Sequence, residues 1–231
     1  MSLVVVGSVA FDSIQTPDGA LENALGGSAV HFSMAASYFG GVQLVGVVGE
    51  DFPDSHRQLM SSRGICLDGL EVVTGGETFR WSGKYFDDMD HRETLSVDLN
   101  VFENFKPDLP ASYRDTGFLF LGNGAPLTQA SVLDQVSSAP FTVVDTMDLW
   151  IDIARPDLEA ALTRVDARAL DRVERVAQFR VRRELVRQVV GASLGRGEDN
   201  GLGARREALE QRPGPAPLVA LLHELHRLRD V

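Results

Sequence analysis

A chain of 231 residues can bury a full core and holds one or two domains. It is 44% hydrophobic and 24% charged, and no apolar run approaches the ~20 residues of a membrane span. Its formal net charge of −11 is unevenly placed. Residues 1–166 carry 9 Lys and Arg against 24 Asp and Glu, whereas residues 167–231 carry 13 Arg, no Lys and 9 acidic residues. The acidic first part argues against nucleic acid as its partner, because phosphate is repelled. One cysteine, Cys66, rules out an intrachain disulfide and fits a reducing cytoplasm; it reads as a small core residue at a helix end. Met1-Ser2-Leu3 has no basic segment ahead of an apolar one, so no signal peptide is expected.

Leu3–Val6 is an uninterrupted apolar run and predicts a buried strand. Residues 11–23 form a polar excursion with a turn at Pro17-Asp18-Gly19. Leu25-Gly26-Gly27-Ser28 then opens a helix over 29–39. Paired glycines allow positive φ and let a ligand come close to the main chain. Ser28 can cap the helix, leaving its first N–H groups facing whatever lies in front of the glycines. With Asp12 just past a strand, this segment could grip a polyhydroxylated ligand; a tight strand–loop–helix join with a solvated Asp12 is the other reading. His31 lies on the helix, either packed inward or hydrogen-bonded to a ligand. Residues 42–48 read as a second strand and Asp54–Ser62 as a helix. This alternation predicts an α/β fold on a parallel sheet with right-handed crossovers.

Over 77–86 the period drops to two, as in a half-exposed antiparallel strand. Asp87-Asp88-Met89-Asp90 is its turn, and 93–99 the return strand. The alternation resumes with strand Phe118–Leu121, helix 127–136, strand 141–144 and helix 156–165. Asn123 follows a strand end directly, the place where open α/β sheets bind ligands; it is a ligand contact or a loop cap. Asp145 reads as a strand-end residue near the ligand and Asp148 as a helix cap. Arg80 either closes on a substrate or pairs with a surface carboxylate such as Asp87 or Asp88. His56, His91, His223 and His226 show no zinc spacing with the cysteine, so no metal site is expected.

In order and spacing, Gly7-Ser8-x-x-x-Asp12, Gly26-Gly27-Ser28 and Gly46-Val47-Val48-Gly49-Glu50-Asp51-Phe52 resemble the amino-terminal half of the ribokinase (PfkB) family of sugar and nucleoside kinases. The resemblance continues through Thr78-Phe79-Arg80-Trp81-Ser82-Gly83-Lys84-Tyr85, Phe118 to Asn123 and Val143-Val144-Asp145-Thr146-Met147. It covers about residues 3–166 and stops. Two departures stand inside it: His31 replaces the family's usual Asn, and the spacing from Gly40 to Gly49 is one residue short. The resemblance implies a ribokinase-like three-layer α/β/α domain over 1–166, incomplete, with a mostly parallel sheet and a small β-sheet lid formed by strands at about 11–16 and 70–100. The exposed apolar face of such a lid is often an oligomer interface, which implies a homodimer. It further implies a site for a sugar or nucleoside made by Asp12, Gly26, Gly27, Ser28, His31 and Asn123, with Arg80 on the lid.

In the complete family ATP with Mg2+ is the phosphoryl donor, and a later Asp-Thr-x-Gly-Ala-Gly-Asp segment supplies the base and a helix N-terminus for phosphate. No such segment occurs in this chain. Residues 191–197 are glycine-rich but lack the Asp and any strand before it. No catalytic residue is therefore assigned, ATP is not expected to bind productively, and the chain is expected to bind sugar at most. Residues 167–231 form an Arg-rich tail, helical or disordered, of the kind that GC-rich DNA yields in a shifted frame, so a frameshift near residue 167 is expected. The rival reading is a native amphipathic helix on Leu170, Val173, Ala177, Val181, Leu185 and Val189, broken by 213–217 and followed by a helix over 218–228. Such a basic helix can bind nucleic acid or acidic membranes, although its carboxylates offset most of its charge.

Overall fold

A computed structural model describes residues 2–89, 91–137 and 140–170. The strands are β1 (Leu3–Val6), β2 (Ala10–Thr16), β3 (Gly19–Gly26), β4 (Val42–Gly49), β5 (Ile65–Val73), β6 (Phe79–Tyr85), β7 (Arg92–Asp98), β8 (Phe118–Leu121), β9 (Phe141–Thr146) and β10 (Ala167–Leu170). The helices are α1 (Ser28–Ala36), α2 (Asp54–Ser62), α3 (Pro126–Leu133), α4 (Asp148–Ile153) and α5 (Arg155–Leu162).

Six strands form one sheet in the order β10-β9-β8-β1-β4-β5, and every neighbouring pair is parallel. Strands as apolar as Leu3–Val6 and Phe118–Leu121 suit such a sheet because helices cover both faces. Val5, Leu44 and Phe120 meet Ala29, Val30 and Ala36 of α1 and Met60 of α2 on one face. Val4, Val6, Val45, Leu119 and Leu121 meet Val132 of α3 and the partly buried Leu162 of α5 on the other. The alternation along each strand thus builds the three layers that the sequence implied. From β1 the chain spreads one way to β4 and β5 and the other way to β8, β9 and β10. Its topological switch point lies between β1 and β8, where the carboxyl ends of the strands leave a crevice.

A second sheet has the order β3-β2-β6-β7. Strands β2 and β3 form an antiparallel hairpin, β6 runs parallel to β2, and β7 returns antiparallel to β6. The polar excursion expected over 11–23 is therefore a hairpin; its side chains are polar because they stand on an exposed sheet. Lid strands were expected from residue 70, but residues 70–73 end β5 in the parallel sheet, where Leu70 packs on the core and pairs with Gly46. The lid begins again at Phe79.

Two local expectations also change. Cys66 lies in β5 rather than at a helix end, and the Tyr113 hydroxyl donates to its Sγ at 3.1 Å. Burial first, and then this contact, hold the Tyr113 phenol well above its ordinary pKa of about 10. The break expected at 167 falls inside the sheet: Ala167 is buried, and β10 pairs with β9 from Ala167↔Val143 to Leu170↔Thr146. Asp166 sets that start, accepting the Thr142 N–H on Oδ2 at 3.0 Å while its own N–H donates to Thr142 O at 3.0 Å. The rest of the tail, with its expected helices and glycine-rich stretch, lies outside the described residues.

Candidate functional site

The start of α1 is wedged into the crevice at the switch point. A Cβ on Gly7, just past β1, or on Gly122, just past β8, would lie 2.7 Å from Ser28 Oγ. Gly27 has φ +98°, which favours glycine, and a Cβ there would lie 2.4 Å from Ser8 O. Ser8 takes up the helix start: the Ser28 N–H donates to Ser8 Oγ at 2.9 Å and the Ala29 N–H to Ser8 O at 3.0 Å. Ser28 Oγ accepts the Ser8 N–H at 3.2 Å. Ser28 is thus no cap, Gly27 holding the N-cap position. These two amides do not face a ligand as expected, because Ser8 satisfies them.

Asp12 stands on β2 beside this junction. A Cβ at Gly26 would lie 2.0 Å from Asp12 Oδ2, so the glycine is what lets the carboxylate lie against β3. His31 Nε2 is 3.5 Å from the same oxygen, at the long end of hydrogen-bond range. The imidazole is 67% exposed and the carboxylate 17%. His31 is therefore not packed into the core: the short α1 turns it outward, over Asp12. Asp12, Gly26, Gly27, Ser28 and His31 come together at the mouth of the crevice, with an acidic acceptor partly shielded from water at its centre.

Arg80 belongs to a different cluster. In the β2–β6 ladder it is the partner of Phe11, and Asp12 is the partner of Trp81, so Arg80 and Asp12 project to opposite faces. Its guanidinium donates to Asp51 Oδ2 at 2.7 Å and Asn23 Oδ1 at 2.8 Å, and lies 4.8 Å from the Phe11 ring centroid. Asp51, rather than Asp87 or Asp88, is the carboxylate it pairs with. Asp51 Oδ1 also accepts the Thr78 N–H at 2.8 Å and hydroxyl at 2.6 Å. Asp51 and Thr78 thereby fasten β6 to the loop after β4. Both lay in quoted motif segments, yet nothing in their spacing marked them as partners.

Asn123 crosses the crevice but is engaged. The Trp150 indole N–H donates to its Oδ1 at 2.9 Å, and its Nδ2 stands 3.0 Å from Met147 Sδ. Both ends of the amide tie the loop after β8 to the start of α4, with one N–H and one carbonyl lone pair left over. Asp145 stands at the carboxyl end of β9, and its carbonyl, with that of Gly122, accepts from Gln129 Nε2 at 2.8 and 2.9 Å. Among the described residues no three His, Cys, Asp or Glu side chains are grouped to hold a metal ion, and no helix is long and apolar enough to cross a membrane.

Ribokinase from Cryptococcus neoformans var. grubii serotype A, solved with ADP, matches with a TM-score of 0.52 at 19% identity, over 62% of this chain and 50% of its own. The fold is that of the ribokinase family. A nucleoside kinase from Burkholderia thailandensis in complex with ADP-inosine has the same ribokinase-like fold, with a TM-score of 0.54 at 13% identity over 78% of this chain and 72% of its own. In sequence, the chain is 27% identical over 145 residues to a cytidine kinase of Thermococcus kodakarensis. The match covers 62% of this chain and 51% of that protein, so the chain spans about half the length of the curated relative it matches. No family model matches.

Proposed function

We propose that this chain is a ribokinase-family protein that holds the acceptor of a phosphoryl transfer, a sugar or nucleoside, on the Asp12 carboxylate. The observation that carries this reading is the setting of Asp12, seated against Gly26, 3.5 Å from His31 and only 17% exposed. A carboxylate there accepts hydrogen bonds from ligand hydroxyls, and charge-assisted bonds of this kind are strong when water is excluded. The fold relatives support an acceptor of this class, one being bound to ADP-inosine and the sequence relative being a cytidine kinase.

ATP with Mg2+ would supply the phosphoryl group in the complete family. The Ser28 and Ala29 amides at the glycine-opened helix start are taken by Ser8 and offer nothing to phosphate. The sequence also lacks the segment that carries the base. We therefore read this polypeptide, acting unaided, as binding acceptor without turnover. Calorimetric titration with cytidine, inosine, ribose and fructose, beside an ATP-consumption assay, tests both halves. Binding that weakens at least tenfold in Asp12→Ala, with no ATP consumed, is the expected result. Unchanged affinity in that variant overturns the site, and ATP-dependent phosphorylation overturns the inactivity.

The Arg-rich composition of the tail supports a shifted reading frame near residue 167. Sequencing the locus decides this, an uninterrupted frame with no kinase-like alternative ending the idea. The exposed Leu95, Val97 and Leu99 on and after β7 support a homodimer through the lid, which sedimentation would show as twice the monomer mass. A single unpaired Cys66 suits a cytoplasmic setting.

A further inference from the structure

We propose that Trp81 is a platform on which this site stacks a flat heteroaromatic ring, so that the ligand held at Asp12 is a nucleoside in preference to a free sugar; this rests on the reading of Asp12 given above. Trp81 is the β6 partner of Asp12 in the parallel β2–β6 ladder, and partners in a ladder present their side chains to the same face. The two side chains lean apart. The Asp12 carboxylate lies against Gly26, which pairs with Ala10, whereas the indole lies across Gly83, which pairs with Ile14. Ala10 to Ile14 is four residues of strand, about 13 Å. A sugar ring hydrogen-bonded to the carboxylate at one end of that strip does not reach the indole at the other. A sugar bearing a base spans the gap.

Gly83 is what seats the ring. A Cβ there would lie 2.1 Å from Trp81 Cη2 and 2.5 Å from Cζ2, so any other residue would lift the indole from the strand. With glycine, the strand backbone is buried under the indole, while Trp81 itself keeps part of its surface open. Its β7 partner, Val97, is 51% exposed, so no core closes over this face. The Arg92 guanidinium stands over the ring, 6.0 Å from its centroid at the edge of cation–π range, on an exposed and flexible side chain that a stacked base would displace. A large aromatic ring laid flat on the lid, with part of its surface open and a carboxylate along the same face, has the chemistry that recognises a base joined to a polyol. Stacking of this kind tolerates any base, because each has a π face.

The test is calorimetric and fluorescence titration of the full chain with cytidine, inosine and ribose. Wild type is expected to bind both nucleosides more tightly than ribose, with Trp81 emission quenched by the nucleosides alone. Trp81→Ala should weaken both nucleosides roughly tenfold or more and leave ribose unchanged, while Trp81→Phe restores most of the loss. Gly83→Val, which displaces the ring without removing it, should reproduce the selective loss and guards against a Trp81→Ala protein that does not fold. Equal losses for nucleoside and ribose, unchanged nucleoside affinity, or ribose bound as tightly as nucleoside would overturn the stacking role. Failure of the Asp12 reading has another signature: Asp12→Ala binds every ligand like wild type while Trp81→Ala still discriminates. A wild-type protein that binds none of the three overturns both.

Discussion

In the parallel sheet, β1 and β8 are buried at every residue but the first, whereas in the lid β7 is exposed along its whole length. The first sheet is stabilised by apolar area removed from water on two faces, at about 25 cal/mol per Å². The second is fastened at one margin, where Phe11 packs into the core against Phe52, Phe79 stacks on Phe102, Asp51 and Thr78 hold β6, Arg80 reaches Asn23, and the Asn100 side chain donates to Thr78 O at 3.0 Å. Most of the stability therefore resides in the first sheet, and most of the exposed strand surface in the second. Local opening free energies follow such differences in burial.

The contrast can be broken from either side. Leu44→Ala, at a fully buried position, is expected to cost about 2–5 kcal/mol of global stability in urea unfolding; a loss below about 1 kcal/mol would mean the core is looser than its burial indicates. Asp51→Ala removes the acceptor of the Thr78 N–H and hydroxyl, and unsatisfied donors of this kind cost about 1–3 kcal/mol. That loss should be confined to the lid, with amide exchange faster over Phe79–Tyr85 and unchanged over Val4 to Val6. Uniform acceleration in both sheets would deny their independence.

Tyr113→Phe probes the core by pH. The phenol is raised in the folded state, so its contribution is complete below the ordinary tyrosine pKa of about 10 and declines as pH rises beyond it. The variant should lose about 1 kcal/mol at neutral pH with the hydrogen bond to Cys66, and its stability should fall less steeply above pH 10. Identical alkaline slopes in urea titrations would remove Tyr113 as the cause. Val97→Ala, on the exposed strand, should stay within about 0.5 kcal/mol of wild type.

Four of the six parallel strands were legible because each is a short apolar run whose two faces must both be covered, and Leu3–Val6 and Phe118–Leu121 fall where the run lies; β5 and β10, interrupted by Asp68, Glu71 and Arg168, were not. The lid was legible only in part. Period-two alternation marked β6 with β7 as its return strand, and the resemblance placed a lid strand at about 11–16, where β2 lies, but β3 looked like loop, since polar strands exposed to water carry little pattern. At the site, Asp12 and the glycine pair were visible as types suited to holding hydroxyls. The engagement of Ser28 by Ser8, of Asn123 by Trp150 and of Arg80 by Asp51 was not, because those partners lie 20, 27 and 29 residues away.

Local composition by itself determined that this chain builds strands and helices in alternation, that two glycines precede α1, and that a carboxylate stands near them. Only the folded arrangement decided which faces those groups share. A ladder register places Asp12 beside Trp81 and turns Arg80 away, and a one-residue slip would exchange them. Side-chain direction on a strand alternates with every residue, so it is a property of pairing, which no single stretch of sequence contains.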